Sequence, residues 1–248
     1  MKYNFISTKV EGHVFYLTLD REAKRNAFTP TMVNEVAYAL EEAKQNPTVN
    51  LLVLQANGPV FCAGMDLKTY QDRSLDQLNP AIENKKISLG EVFDQFNKPS
   101  IAILDGDVIA GGFLYILGCT YVFAKKEVQF KLPELSFGIF PFQVMASLSR
   151  VMSEKKIMQL CLDPNAFGSE KAMEFGILDG IKSDEEIQEF IASFAEKSTF
   201  AMQAGADALK AIRDMESAKQ YDYLLSCLEQ LKDREEVKQQ IQSGIKKP

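Results

Sequence analysis

The stretch "DGDVIAGGFLYILGCTY" (Asp105–Tyr121) places two glycines, Gly111 and Gly112, at the mouth of an apolar run that holds no catalytic side chain. It follows "SIAILDG", a short continuous apolar segment of the kind that forms a strand buried inside a sheet. The junction reads as a strand-to-helix turn, with small residues leaving backbone N–H groups bare at the helix start. A second turn of the same make is "VFCAGMDLKTY" (Val60–Tyr70), after a strand at Leu51–Gln55 in "NLLVLQAN". Such donors suit an anion or a developing oxyanion. Glycines such as Gly64, Gly111 and Gly112 also serve tight turns and close packing, so either turn alone leaves both uses open.

Outward from these turns, "HVFYLTLD" (His13–Asp20) is rich in β-branched and aromatic residues and reads as a strand. Thr29 and Pro30 form a cap and first helical position, and Val33, Val36, Ala37 and Leu40 share one face of the helix that follows, up to Asn46-Pro47. "YVFAKK" and "VQFKL" read as further strands. The alternation of strands and helices to about residue 140 predicts an α/β layer structure. From about Met145 the pattern turns helical. "SEKAMEFGIL" carries a serine cap and a stop at Gly176, and helical segments are expected from Asp184, Ala204 and Tyr221. "SLDQLNPAIENKKISLG" (Ser74–Gly90) is polar and interrupted, and is expected to be irregular or mobile.

The 248 residues are 46% hydrophobic and 25% charged, enough to bury a sizeable core in one large domain or in a domain with a helical appendage. A formal charge of −6 argues against non-specific nucleic-acid binding. Cys62, Cys119, Cys161 and Cys227 are widely spaced with no CxxC, so neither a disulfide framework nor a zinc site is expected. Cys62 and Cys119 read as core thiols. His13 is the sole histidine and lies in or beside the first strand; a Ser-His-Asp or Cys-His machine would need it in a cleft with a nucleophile, and it reads instead as a strand-edge histidine. The phosphate-cradling GxxxxGK[ST] and GxGxxG patterns are absent. No secretory segment is evident and no apolar run reaches the roughly 18 residues of a membrane span, so a cytoplasmic protein is expected.

Five segments in order, "REAKRNAF", "VFCAGMDL", "DGDVIAGGF", "FKLPELSFGIFP" and "SEKAMEFGILDG", resemble the crotonase (enoyl-CoA hydratase/isomerase) superfamily. The resemblance runs from about residue 5 to residue 180 and is weaker beyond. It implies a superhelix of repeated ββα turns over residues 1–190 and a C-terminal helical region, 191–248, used in trimer assembly. It implies an acyl thioester as substrate, its carbonyl oxygen held between the backbone N–H groups of Met65 and Gly111, with Gly111 letting the thioester approach. No permanently bound cofactor or metal is implied; coenzyme A, or phosphopantetheine on a carrier protein, arrives with the substrate. Lys24, Arg25 and Lys68 match the phosphate-contacting loops, and backbone near Ala27, Ala63, Asp66 and Leu67 would hold the coenzyme.

Family members that hydrate enoyl-CoA usually carry two glutamates. The position three residues after the oxyanion glycine is Leu114 here, and the second, in the "PE" dipeptide, is Glu134. Adding water needs a water held and deprotonated while a proton reaches the α-carbon, which suits paired carboxylates. Moving a double bond needs one proton taken from C2 and returned at C4, which one carboxylate can carry. The resemblance is closest to single-glutamate Δ3,Δ2-enoyl-CoA isomerases. Gly112, Leu114, Ile139, Phe140 and Phe142 are expected to line the acyl pocket, with Phe137 and the last three raising the Glu134 pKa by desolvation. Three other readings remain open: a dehydratase or decarboxylase of carrier-bound acyl groups in polyketide β-branching, an enoyl-CoA hydratase, and a non-catalytic thioester-binding protein. The expected assembly is a homotrimer or hexamer.

Overall fold

Strands and helices alternate because apolar runs of four to six residues, bounded by turn residues, alternate with amphipathic segments. The computed structural model describes residues 1–245 and divides into two compact units, Met1–Glu196 and a second that begins at Lys197.

In the first unit a six-stranded sheet takes β1 (Ile6–Glu11), β2 (Val14–Leu19), β3 (Leu51–Ala56), β5 (Ser100–Leu104), β7 (Tyr121–Ala124) and β10 (Gly180–Ile181), in that order. Only the β1–β2 hairpin is antiparallel; Val14 pairs with Leu51, Leu52 with Ser100 and Ile101 with Tyr121 in parallel register. A four-stranded sheet takes β4 (Val60–Cys62), β6 (Asp107–Ile109), β8 (Gln129–Lys131) and β9 (Phe167–Gly168). Each turn of the chain thus lays one strand in each sheet: β3 then β4, β5 then β6, β7 then β8. The short strands β4 and β6 intervene before the two glycine turns, where the sequence reading ran directly from the longer strands into helices. Three residues in an apolar run carry too little periodicity to separate from a helix start.

Helix α1 (Pro30–Gln45) begins as expected, with the Thr29 hydroxyl accepting a hydrogen bond from Met32 N–H. It buries Val33, Val36, Ala39, Leu40 and Ala43 on the core that also holds Leu17, Leu52 and Leu54. Tyr115 is fully buried where Phe28, Phe61 and Phe93 meet it edge-on, with ring centroids 5.8–6.4 Å away. His13 lies in the β1–β2 turn with Nε2 3.3 Å from the Ile191 carbonyl. Ser169 does not cap α7 (Ser169–Glu174): Gly168 holds that position, and the serine hydroxyl donates to the Lys125 and Val128 carbonyls. Gly176 ends the segment at φ +71°.

The segment after α2 (Leu67–Gln71) is irregular but tied down. Asp76 accepts from the Thr31 backbone and hydroxyl, the Asn79 side chain donates to buried Glu35, and the Lys85 N–H donates to Asn34. It leads into α3 (Leu89–Asp94). Beyond β6, residues Ala110–Gly112 form a 3-10 turn that runs into α4 (Phe113–Ile116). Helices α5 (Phe142–Leu148), α6 (Glu154–Leu162) and α8 (Asp184–Ala192) complete the unit, α8 opening on a capping box of Ser183 and Glu186.

The second unit holds α9 (Thr199–Ala211), α10 (Ser217–Lys232) and α11 (Glu235–Ile245). Two of these start before the expected Ala204 and Tyr221, α9 because Ser198 caps it by accepting from Ala201 N–H. Among the described residues no helix is long and apolar enough to cross a membrane.

Candidate active site

β4, β6 and β8 are neighbours in one sheet and run parallel, so their C-terminal ends share one edge. Met65 follows β4 by three residues, Gly111 follows β6 by two and Glu134 follows β8 by three. Sites in parallel α/β sheets collect at this edge because the chain leaves every strand there.

Planar trans peptides fix the two N–H groups. The Gly64 carbonyl accepts from Phe28 N–H at 2.8 Å, so the N–H of the same peptide unit, that of Met65, points the opposite way. Asp66 N–H donates to the Phe28 carbonyl at 2.9 Å, which completes a parallel bridge that leaves the Met65 N–H outside it. The Ala110 carbonyl accepts from Phe113 N–H inside the helical turn, so the Gly111 N–H points out of the turn's beginning. This turn and α4 span seven residues, so the aimed N–H groups rather than a long helix dipole define the local field. A side chain at Gly64 would start 3.2 Å from the Gly111 nitrogen, which measures how closely the two turns abut.

The glycines divide their duties. Gly64 sits at φ +85°, a conformation that only glycine adopts freely. A side chain at Gly112 would start 2.8 Å from the Cys62 carbonyl, so this glycine serves close packing. At Gly111 the space of a Cβ is taken by the Phe28 ring, 2.9 Å away. That glycine admits the ring, a use of its small size that the sequence reading did not assign.

Glu134 opens a 3-10 turn (Glu134–Phe137) and is 9% exposed, with no protein partner for its Oε2 among the described residues. Burial pushes its carboxyl above the ordinary glutamate range, opposed by a hydrogen bond from its own backbone N–H. Of the residues expected to desolvate it, Phe137, Ile139 and Phe142 are 68%, 53% and 75% exposed. Phe140 alone of the four packs partly on the core. Leu114 is buried, with Cδ2 3.4 Å from where a side chain on Gly90 would begin; the hydroxyls of Ser88 and Ser147 lie 3.8 Å from that point.

Lys24, Arg25, Leu67 and Lys68 are exposed beside the two turns, and Ala27, Ala63 and Asp66 are half-buried. Ala63 N–H donates to the Arg25 carbonyl, which joins the loop of residues 21–28 to the Gly64 turn. The Asp66 carboxylate caps α2 through Lys68 N–H and Thr69 N–H and pairs with Arg21 at 2.8 Å. Burial alone would raise its pKa, but the Arg21 hydrogen bond, those N–H groups and the Arg21 charge hold it below the usual carboxylate range. Burial pushes the Cys62 and Cys119 thiols up to about 12, so neither supplies a thiolate nucleophile at neutral pH. Sequence reasoning assigned no role to Arg21, Asn26, Phe28 or Ala110. Their signals, an ion pair 45 residues apart in sequence and positive φ angles at Asn26 and Ala110, exist only in three dimensions.

The loops after β4, β6 and β8 thus bring the Met65 and Gly111 peptide units and the buried Glu134 to one edge of the sheet, and outward-pointing N–H groups with a buried acid are the parts an enzyme uses to stabilise an oxyanion while a proton moves. The chain belongs to the enoyl-CoA hydratase/isomerase family, whose model matches residues 9–247, and it is an enzyme. It is 27% identical over 240 residues to hydroxycinnamoyl-CoA hydratase-lyase of Pseudomonas fluorescens, covering 92% of this chain and 86% of that protein. It is 29% identical over 209 residues to 1,2-epoxyphenylacetyl-CoA isomerase of Escherichia coli K12, covering 80% and 79%. A crystal structure of an enoyl-CoA hydratase from Shewanella pealeana superposes with a TM-score of 0.87 at 24% identity, over 99% of this chain and 95% of that one, which establishes the crotonase fold.

Proposed function

We propose that this protein is an isomerase that moves a β,γ double bond of an enoyl-CoA thioester into conjugation. The thioester oxygen lies between the Met65 and Gly111 N–H groups, the Glu134 carboxylate takes a proton from C2, and the resulting enolate is reprotonated at C4 by the same acid. Electrons move from the C2–H bond into the enolate and out to C4, and Glu134 ends as it began. The observation that carries this reading is Leu114: a buried apolar side chain three residues beyond the oxyanion glycine, where two-carboxylate hydratases hold their other acid. Lys24, Arg25 and Lys68 would meet coenzyme phosphates, with backbone near Ala27, Ala63, Asp66 and Leu67 along the coenzyme.

The test is a panel of 3-enoyl-CoA and 2-enoyl-CoA substrates with products identified by NMR. The wild-type protein is expected to convert the 3-enoyl substrate and to hydrate crotonyl-CoA only weakly. Leu114→Glu should introduce a small hydratase activity, limited because an unpartnered buried carboxylate tends to stay protonated. Hydration of crotonyl-CoA by the wild type as fast as by a two-glutamate enzyme would replace this reading with hydration. The relatives' names carry both readings, since hydratases and isomerases stand among them.

We further propose a homotrimer or a dimer of trimers working in the cytoplasm. Leu224, Leu225 and Leu228 on α10 are 36–57% exposed and Leu231 is half-buried, more apolar surface than a solvated helix needs. Light scattering at micromolar concentration is expected to give three or six times the 27.8 kDa chain mass, and a stable monomer would contradict the proposal.

A further inference from the structure

The two turns hold an unusual concentration of backbone strain. Among the described residues, every non-glycine with positive φ lies in them or in the loop packed on them: Arg25 and Asn26 at +51° and Ala110 at +53°. Each such residue is disfavoured and persists only where its surroundings over-determine it. Asn26 is so held: its Oδ1 accepts from Arg21 N–H and its Nδ2 donates to the Asn57 and Val60 carbonyls at 2.8 and 2.9 Å. Arg21 is the other brace. Its guanidinium lies 5.2 Å from the Phe5 ring centroid, and its Nη1 donates both to Asp66 Oδ2 at 2.8 Å and to the Ala27 carbonyl at 2.7 Å.

The second of these bonds heads a chain. The Ala27 carbonyl belongs to the peptide unit whose N–H is that of Phe28, and Phe28 N–H donates to the Gly64 carbonyl at 2.8 Å. The Gly64 carbonyl in turn belongs to the unit whose N–H is that of Met65. A guanidinium, two peptide planes and the proposed oxyanion donor therefore stand in one head-to-tail series. Hydrogen bonds in series polarise one another, by perhaps 10–30% per bond in condensed-phase estimates. A fixed cation at the head draws electron density in the direction that makes the last N–H a stronger donor. Stability is a weak reason for the partly buried Arg21–Asp66 pair, because ion pairs withdrawn from water often do no better than apolar replacements.

We propose that Arg21 is a positioning residue that orients and polarises the Met65 N–H through the Ala27–Phe28 and Gly64–Met65 peptide units. The proposal rests on the oxyanion-hole reading above. Its first consequence is a split in kinetics: the relay acts on charge that develops in the transition state, so kcat should fall while KM stays nearly constant.

The probe is an aryl-conjugated enoyl-CoA whose absorption moves to longer wavelength as its carbonyl is polarised, read on binding and independent of turnover. Arg21→Gln is expected to lower kcat about tenfold, short of the about 10²–10³ for losing a whole donor. It should also reduce the red shift, with KM within about threefold. Because Arg21→Gln leaves Asp66 unpaired, the double variant Arg21→Gln/Asp66→Asn is measured beside it, keeping polar partners without charge. Arg21→Lys, which keeps the charge but loses the planar fork, should retain part of the shift. A full red shift in the folded double variant, or a rise in KM alone, would overturn the relay. If the wild type binds the probe without any shift, the oxyanion hole and the relay fall together. If the wild type shifts the probe but isomerises no 3-enoyl-CoA, the proposed reaction fails and the relay stands.

Discussion

Glu134→Gln is expected to lower turnover by about 10²–10⁴ while a CoA thioester still binds, because a positioned acid-base group supplies an acceleration of that size. The loss corresponds to about 3–5 kcal/mol of barrier. Glutamine keeps the shape and can still meet neighbours, but it cannot carry a proton between C2 and C4. Burial lifts the Glu134 carboxyl above the ordinary glutamate range, so the wild-type kcat/KM should fall on its acid side at a higher pH than for a solvated glutamate. Linkage fixes the sign of the accompanying stability change. An acid whose folded pKa is raised binds its proton more tightly when folded, so stability declines as pH rises from the ordinary value through the raised one. Above the raised value the folded protein bears a buried carboxylate whose Oε2 has no protein partner among the described residues. Glu134→Gln should melt at the same temperature as wild type or higher near neutral pH, with any gain vanishing in acid. Thermal melts at pH 4 and pH 7, with turnover on 3-enoyl-CoA, check both halves. Retention of half the wild-type rate would remove Glu134 from the mechanism.

The sequence carried the frame of this site because its strongest signals are local. β3 and β5 are continuous apolar runs, Thr29-Pro30 announces α1, and paired glycines mark a turn whatever follows it. β1 was missed because it is a mostly exposed edge strand whose "ISTKVE" holds two apolar residues, and β4 and β6 because three residues show no period. The exposure of Phe137, Ile139 and Phe142 was illegible for a different reason. Apolar side chains following a buried acid look like its lining, but a tight turn ending at Gly138, φ +70°, carries the chain outward. The duties of the glycines were legible as smallness and illegible as purpose, since only the fold brings the Phe28 ring over Gly111 and the Cys62 carbonyl against Gly112. Arg21 belongs to the same class: its partners come from the segments at Phe5, Ala27 and Asp66, and no spacing joins them in advance.

Gly64→Ala should separate the making of the oxyanion site from the stability of the fold. At φ +85° an alanine is strained wherever it stands, by roughly 1–3 kcal/mol. Here its Cβ would also lie 2.8 Å from the Ala110 Cβ and 3.2 Å from both the Gly111 nitrogen and the Ile109 carbonyl, and backbone atoms cannot rotate aside. The two turns must then part, and the Met65 and Gly111 donors part with them. Disabling one oxyanion donor typically costs about 10²–10³ in kcat, and this substitution displaces the pair at their point of contact. Gly12→Ala supplies the comparison. Gly12 lies in the β1–β2 turn at φ +57°, with nothing within 4 Å of an added Cβ, so it bears backbone strain of the same kind without the collision. Both variants should melt below wild type, but Gly12→Ala should keep the wild-type kcat and Gly64→Ala should lose at least a hundredfold. The red shift of a bound chromophoric thioester should follow kcat rather than melting temperature. If Gly64→Ala stays folded with full turnover, the carbonyl oxygen is not held between these two turns, and the proposed oxyanion site is wrong.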